Sequence, residues 1–449
     1  MIKFAAVFII LTLISNLYSN EPVTEYDKYW PQWRGPQATG VAPHGNPPVS
    51  WSEENNIRWK IEISGKGHAS PIIWENTVFV LTANPTGETV ESAASQNDTP
   101  PSGEQRRRGR RGIQPTNVLQ FNVMAISRRD GSVLWQKTAR ETLPHEGTHR
   151  DATWASNSPI TDGEHLYAYF GSNGLYCYDL SGNLKWEKDL GDMRTRRGFG
   201  EGSSPAIHGN TIIINWDHEE DDFIVALDKY TGKEIWRKKR DEPTSWSTPL
   251  IVEYGGKTQV IVSATNFTRS YDLSNGDIIW ECSGMTTNTI PSPVVENGVV
   301  YVMSGFRGNA LQAIRLEGAS GDISDSEAVL WEYNRDTPYV PSPLLYNGSL
   351  YFLKSNDGIL TGFNTKTGKP NFGPQRLDGI SNAYASPVGA SNRVYLTGRG
   401  GTTLVIENST EFKILAKNTL GDGFDASPAI AGNEFYLRGT RYLYCISED

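Results

Sequence analysis

The chain has 449 residues, of which 37% are hydrophobic and 11% aromatic, and it contains 44 glycines and 13 tryptophans. A formal net charge of −9 argues against a general nucleic-acid binder, because such proteins usually carry a basic face. Three cysteines, Cys177, Cys282 and Cys445, are too few and too scattered for a disulfide framework and are expected to be isolated apolar residues.

The first residues have the pattern of a secretory signal. Lys3 supplies a positive charge, and residues 4–14 form an apolar run too short to span a bilayer comfortably. Cleavage after the small residue Ser19 predicts a signal peptide over 1–19 and an exported, periplasmic or secreted protein. Residues 20–55 would then form an N-terminal arm, and no later stretch is long enough for a transmembrane helix.

A Ser-Pro pair, once Thr-Pro, recurs along the rest of the chain. Its first residues lie 88, 46, 44, 44, 50, 44 and 41 positions apart, which is the usual size of one four-stranded propeller blade. The eight pairs begin at Ser70, Ser158, Ser204, Thr248, Ser292, Ser342, Ser386 and Ser427.

Each unit continues in the same order. A tight turn such as Asp162-Gly163 favours a hairpin, and later strands lead through a Thr-Gly or similar turn to a tryptophan, most clearly in ALDKYTGKEIW (226–236). A flat indole can fill the wedge between neighbouring blades. The tryptophans assigned to this structural role are Trp59, Trp135, Trp186, Trp236, Trp280 and Trp331.

These units predict an all-β, eight-bladed β-propeller of four-stranded blades over 56–449. The last unit stops after its third strand, so the strand-like residues 56–63 near the N-terminus are expected to supply the fourth strand and close the ring. Closure removes the open sheet edges that would otherwise invite aggregation.

Residues 84–117 interrupt the first blade. They are polar and include Arg106, Arg107, Arg108, Arg110 and Arg111, so they bury too little apolar surface to offset the entropy of ordering. A disordered basic insertion is expected, and an arm for an anionic surface is the alternative.

The repeat resembles that of a known family. The phrase at 226–236 is similar to the pyrroloquinoline quinone (PQQ) repeat of quinoprotein alcohol dehydrogenases and of the outer-membrane β-barrel assembly factor that shares their propeller. WPQWRGP (30–36), GKGHASPIIW (65–74) and YAYFGSNGLYCYDL (167–180) resemble exported PQQ-like repeat proteins. The resemblance implies the fold, but a repeat does not carry a function with it.

The same resemblance raises the question of a cofactor. Quinoprotein dehydrogenases hold the quinone in the central funnel beside calcium, with Glu, Asn and Asp ligands, and many stack it on adjacent cysteines. This chain has no Cys-Cys pair, and its residues do not match the calcium ligands one by one. No cofactor is therefore expected, and PQQ with calcium is the alternative.

A ligand site is predicted at one mouth of the central channel. Residues before the first strand of each blade, and those after the second, should surround it, and aromatic planes with convergent polar groups suit a sugar, a quinone or a peptide. The candidates are His68, Trp154, Asn157, Glu201, Trp246, Arg269, Arg307, Tyr339, Lys354, Tyr384, Arg399 and Asp425.

Two further groups of polar residues could hold a metal. Asp217, His218 and Glu219 begin an acidic run with oxygen ligands of the kind that calcium prefers, although the spacing of an EF-hand loop is missing. A solvated turn is the favoured interpretation of this run. For His145, His149 and Asp151 a polar loop is favoured.

The sequence therefore favours a non-catalytic scaffold over an enzyme. Its expected partner is an envelope protein, a peptide or a polysaccharide, it is expected to be a monomer, and nucleic acid is not expected. A PQQ-dependent alcohol or sugar dehydrogenase is the first alternative. A carbohydrate-active enzyme is the second, and it would use funnel carboxylates such as Glu201 and Asp425 at a defined separation.

Overall fold

Strands dominate the computed structural model, which describes residues 24–89 and 112–448. Within those residues, three short 3-10 turns accompany the strands, at Tyr26–Lys28, Gly171–Asn173 and Arg196–Gly198. Over the same ranges, no helix has the length and apolar character that crossing a membrane requires.

The strands form eight separate sheets, here called blades 1 to 8 in chain order. Blade 1 comprises Ile72–Trp74, Thr77–Thr89, Asn117–Ser127 and Val133–Thr142; blade 2 comprises Ile160–Thr161, His165–Tyr169, Leu175–Asp179 and Leu184–Lys188. Blade 3 comprises Ala206–His208, Thr211–Trp216, Phe223–Asp228 and Glu234–Lys239; blade 4 comprises Leu250–Tyr254, Lys257–Val262, Thr268–Asp272 and Ile278–Cys282. Blade 5 comprises Val294–Glu296, Val299–Ser304, Ala310–Arg315 and Val329–Glu332; blade 6 comprises Leu344–Tyr346, Ser349–Leu353, Ile359–Asn364 and Lys369–Arg376. Blade 7 comprises Val388–Ala390, Arg393–Thr397, Thr402–Glu407 and Ile414–Thr419; blade 8 comprises Ala429–Ala431, Glu434–Arg438, Tyr442–Ile446 and Ile57–Glu62.

The predicted eight-bladed propeller is confirmed, and the strand near the N-terminus belongs to the last blade. Ile57–Glu62 pairs antiparallel with Tyr442–Ile446. Blade 4 carries one strand more than predicted, because Gly321–Asp322 pairs parallel with its outer strand Ile278–Cys282.

The Ser-Pro pairs join the blades in a ring of hydrogen bonds. In seven successive pairs, the backbone N–H of one serine or threonine donates to the side-chain hydroxyl of the next blade's residue over 2.9–3.3 Å, from Ser70 to Ser158 through to Ser386 and Ser427. The Ser70 hydroxyl donates to the Ser427 carbonyl at 2.7 Å and completes the circle. The repeated serine therefore sets the relative position of neighbouring first strands.

The tryptophans hold the outer parts of neighbouring blades together. Five of them donate the indole N–H to a carbonyl in the following blade's turn, as Trp236 does to Leu273 at 2.8 Å. The same turn places a glycine on the indole, and a Cβ added to Gly276 would meet Trp236 at 2.5 Å. The five tryptophans are Trp59, Trp135, Trp186, Trp236 and Trp331.

Trp280 is the exception among the six predicted wedge residues. It is fully buried, and its indole N–H donates to Gln259 of its own blade at 3.2 Å. The connection before the outer strand of blade 5 is long, and it places Gly321 opposite Trp280 in the added strand. Trp280 belongs to one hydrophobic cluster with Leu316, Ala319 and Ile323 of that connection, which takes the place of a glycine turn.

The N-terminal arm crosses the end of the channel beyond the serine ring. Trp30 pairs with Ile73 of blade 1, the Pro31 carbonyl accepts from Thr161 of blade 2, and the Asn46 N–H donates to Gly432 of blade 8. These contacts lie in or next to first strands, which follow the Ser-Pro pairs in the chain. The arm therefore lies on one side of the serine ring, and the residues that precede the pairs lie on the other side.

The predicted insertion is only partly a separate segment. Residues 84–89 lie in the strand Thr77–Thr89, which pairs with Asn117–Ser127 as far as Thr89 opposite Asn117. Backbone pairing continues there because the partner strand still buries Leu119 and Phe121. The five insertion arginines and the predicted signal peptide lie outside the described residues.

Candidate ligand-binding funnel

Residues that precede the Ser-Pro pairs surround a cavity of about 230 Å³ at one mouth of the channel, here called the funnel. Its floor includes hydroxyls of the serine ring and Trp33 from the arm, whose indole N–H donates to Ser292 at 3.2 Å. Because the blades repeat, residues two or three positions before a Ser-Pro pair meet around this mouth. The structure thus brings together six predicted residues, His68, Glu201, Trp246, Tyr339, Tyr384 and Asp425.

A cluster of charges occupies one wall of the funnel. Arg399 donates to Asp425 Oδ2 at 3.0 Å and, through both terminal nitrogens, to Asp151 Oδ1 at 3.3 Å. Its guanidinium lies 4.3 Å from the centre of the Tyr384 ring. Burial alone would raise the pKa of Asp151, but the charge of Arg399 lowers it. Sequence reasoning left Asp151 in a loop, since nothing local links it to a residue 248 positions away.

Two histidines border this cluster. His68 Nε2 lies 3.6 Å from Asp425 Oδ2, and burial lowers the pKa of His68 despite the attraction of Asp425. Burial therefore favours the uncharged form of His68. His149 Nδ1 accepts the backbone N–H of Asp151 at 3.2 Å.

Glu201 stands apart from the charge cluster. Its two oxygens accept hydrogen bonds from the Ser172 backbone N–H at 2.8 Å and the Ser172 hydroxyl at 2.6 Å. Burial raises the pKa of Glu201 to about 7. Gly171 makes the approach feasible, because it has a φ of +60° and a Cβ there would meet Glu201 Oε2 at 1.4 Å. The sequence alone did not predict that Ser172 holds Glu201. The residues of the turn Gly171–Asn173 were the local signal that the backbone bends there.

Five other predicted residues lie outside the funnel cavity. Trp154 and Asn157 line a small cleft beside Glu201. Arg269 is held by Asp241, Glu242 and Glu281 at 2.6–3.3 Å. Lys354 pairs with Asp336 at 2.8 Å, and Arg307 lies over the Phe306 ring. Arg307 and Lys354 follow second strands, as predicted, whereas Arg269 lies in the third strand of blade 4, and none of the three lines the cavity.

The candidate metal residues are used for structural links instead. Asp217 forms a fully buried ion pair with Arg240 at 2.6 Å. His218 accepts the Arg194 N–H at Nδ1, while its Nε2 lies 3.1 Å from the Asp221 carbonyl. Glu219 accepts the Thr244 hydroxyl at 2.8 Å. The favoured solvated turn is wrong for Asp217 and His218, which are buried. Asp217 can be buried because Arg240, which follows the outer strand of the same blade, neutralises its charge.

The funnel does not fit a calcium ion with PQQ. Calcium needs six to eight oxygen ligands, whereas the guanidinium of Arg399 lies between the carboxylates of Asp151 and Asp425 and would repel a dication. Glu201 already accepts two hydrogen bonds from Ser172. The carbohydrate-active alternative stays a prediction, since Glu201 and Asp425 both line the cavity.

One curated relative and two solved structures are similar to this chain. A region of 100 residues is 29% identical to outer membrane protein assembly factor BamB of Francisella salina, and it spans 22% of this chain and 18% of that protein. The crystal structure of BamB from Moraxella catarrhalis matches with a TM-score of 0.54 at 13% identity, covering 75% of this chain and 92% of that one. A europium-containing methanol dehydrogenase gives a TM-score of 0.48 at 10% identity, over 94% of this chain and 98% of that one.

A family model described as outer membrane protein assembly factor BamB matches residues 120–305 and 220–449. Together these matches cover most of the chain, including blades 2 to 7 and the C-terminal strands of blade 8. The chain belongs to this family of PQQ-like propeller proteins.

Proposed function

We propose that this chain is a non-catalytic scaffold of the cell envelope that binds a protein partner through its funnel face. The family match supports an envelope role, since the relatives are named as outer membrane protein assembly factors. The observation that carries the proposal is the pairing of the funnel's charged groups. Arg399 holds Asp425 and Asp151, and Ser172 holds Glu201, so these groups are already ordered before a partner binds.

The rim of the funnel also has the chemistry of a protein-binding surface. Phe306 stacks on Tyr339 with ring centres 4.7 Å apart, and Arg399 stacks on Tyr384. Trp246 is fixed by a 2.7 Å hydrogen bond to the Gly200 carbonyl. Tryptophan, tyrosine and arginine are the residue types that dominate binding energy at protein interfaces, and side chains that are already ordered lose little entropy on binding.

Site-specific photocrosslinking in cells tests the proposal. A photoreactive amino acid replaces Arg307, which is exposed on the rim beside Phe306, and in a matched strain it replaces Ile235, which is 49% exposed on the outer strand of blade 3. The photoreactive residue at position 307 should crosslink this chain to one discrete envelope protein. The substitution Tyr339→Ala should reduce the yield of that crosslinked product. Crosslinking at 235 alone, or at neither position, would contradict the proposal.

A further inference from the structure

We propose that the funnel receives one basic side chain, lysine or arginine, from the protein segment that binds across it. This inference rests on the proposed function and names the group that the funnel recognises.

The lining of the cavity carries negative charge only. Three carboxylates line it, from Asp151, Glu201 and Asp425, and neither a lysine nor an arginine is among its described lining residues. Two arginines approach from outside the cavity: Arg399 contacts Asp151 and Asp425, and the exposed Arg150 contacts Asp151 at 3.4 Å. Three negative and two positive charges leave −1 with Glu201 ionised, so the cavity can still accept one cation.

The walls suit a cation as well as an apolar stem. Phe199, Trp246, Tyr339 and Tyr384 line the cavity, and a cation over an aromatic face is attracted by the ring's quadrupole. Lysine and arginine also bury their methylene stems against apolar surface. The volume of about 230 Å³ lies below the range of about 300–1,000 Å³ for sites that enclose a whole ligand, so a single side chain fits the size.

One acceptor is available for the incoming group. Asp425 Oδ1 is ion-paired with Arg399 Nε at 2.5 Å, and its second lone pair can still accept a hydrogen bond. A cationic donor would add a charge-assisted hydrogen bond there, which is stronger than a neutral one. An acidic side chain would instead meet three like charges, and a neutral one would desolvate them without compensation.

The test uses four capped peptides with identical glycine-serine flanks and a central arginine, lysine, methionine or glutamate. Binding to the full chain is followed by its tryptophan fluorescence, because Trp33 and Trp246 line the cavity. The arginine and lysine peptides should bind roughly tenfold more tightly than the methionine peptide, and the glutamate peptide should bind most weakly. Equal affinity for arginine and methionine would overturn the inference.

Two funnel variants and one control locate the effect. At a pH above the pKa of Glu201, Asp425→Asn and Glu201→Gln should each reduce the preference for the arginine peptide over the methionine peptide several-fold. Asp425→Asn could also displace Arg399, and Glu201→Gln tests the charge without touching that arginine. Asp277→Asn removes an equal charge from an exposed turn that pairs with Lys238 and should change nothing. If both funnel variants keep the wild-type preference for the arginine peptide, the cation does not bind in the funnel.

The two proposals can fail separately. If none of the peptides binds while position 307 crosslinks a partner, the scaffold stands and the cation pocket is wrong. If the basic peptides bind and position 307 gives no crosslink, the pocket is right and the protein-binding scaffold is wrong.

Discussion

Arg34 is a buried cation at the end of the channel that the arm covers. Its terminal nitrogens donate to the carbonyls of Pro387 and Pro343, each at 2.6 Å, and to Thr39 at 3.2 Å. Among the described residues it has no carboxylate partner, and burial lowers its pKa to about 9. Arg34 therefore links blades 6 and 7 through carbonyl dipoles alone.

Arg34→Met should destabilise the fold, because it leaves carbonyls of two blades without donors. A loss of about 2–4 kcal/mol is expected from hydrogen bonds that involve a charged group, measured by denaturant unfolding. The control Arg237→Met removes an exposed ion pair with Glu234 on an outer strand and should cost under about 1 kcal/mol. Equal losses in the two variants would show that Arg34 does not link the blades.

Glu201 predicts a dependence of stability on pH. Its pKa rises from 4.5 to about 7 on folding, so between those values the folded chain binds more protons than the unfolded chain, and stability falls as the pH rises. Glu201→Gln removes this penalty. We compare the unfolding free energy of Glu201→Gln with that of wild type at each pH. The difference in favour of the variant should be about 1–2 kcal/mol larger at about pH 8 than at about pH 5.

A second glutamate provides the opposite sign. The hydrogen bond from Lys60 lowers the pKa of Glu53, so Glu53 contributes stability above its unfolded pKa and loses it as the pH falls. Glu53→Gln should therefore lower stability at about pH 8 and have less effect in acid. If Glu201→Gln instead lowers stability at about pH 8, as Glu53→Gln should, the carboxyl of Glu201 is ionised at both pH values and the prediction is wrong.

At the scale of one strand and its turn, the tryptophan and the glycine that it contacts act as a unit. A glycine is needed at this turn for two reasons: its φ is positive, and its backbone lies close to the indole of the tryptophan. Gly276 has a φ of +76° and Gly256, in another turn of the same blade, has a φ of +74°. Only Gly276 touches an indole, since a Cβ at Gly256 would meet nothing within 4 Å.

Comparing Gly276→Ala with Gly256→Ala separates these two reasons. Both substitutions incur the left-handed strain of about 1–2 kcal/mol. Gly276→Ala should cost about 1–3 kcal/mol more, because the methyl group displaces Trp236 from between blades 3 and 4. Chemical unfolding of the two variants measures the difference, and equal costs would mean that the indole contact contributes nothing.

For the whole molecule, stability depends on how the ring is closed. The outer strand of blade 8 comes from residues near the N-terminus, and Trp59 in that strand donates to the Arg128 carbonyl of blade 1 at 2.9 Å. Trp331 makes the equivalent bond between blades 5 and 6, which follow one another in the chain. The two tryptophans have the same local contact but different positions in the ring.

Trp59→Ala should loosen the closure, whereas Trp331→Ala should not. Both remove a large side chain, at an expected cost of about 3–5 kcal/mol. Hydrogen exchange of Tyr442–Ile446, the partner of the closing strand, should accelerate in Trp59→Ala and stay unchanged in Trp331→Ala. The same acceleration in both variants would indicate that the ring opens at any blade.

The sequence by itself determined the repeat, the number of blades and five of the six tryptophans that join neighbouring blades. This was feasible because the Ser-Pro pair, the hairpin turn and the tryptophan of each blade lie within one period of the chain, so a local pattern encodes a local unit. Six funnel residues, among them Tyr384 and Asp425, followed from their positions two or three residues before the Ser-Pro pairs.

Only the tertiary structure decided which of these residues pair with each other. Arg399 of blade 7 meets Asp151 in the connection between blades 1 and 2, Arg34 of the arm meets Pro387, and Asp217 meets Arg240 beyond the outer strand of its blade. Such pairs join residues up to 353 positions apart. Their geometry follows from closing eight blades into one ring, and no period in the sequence records it.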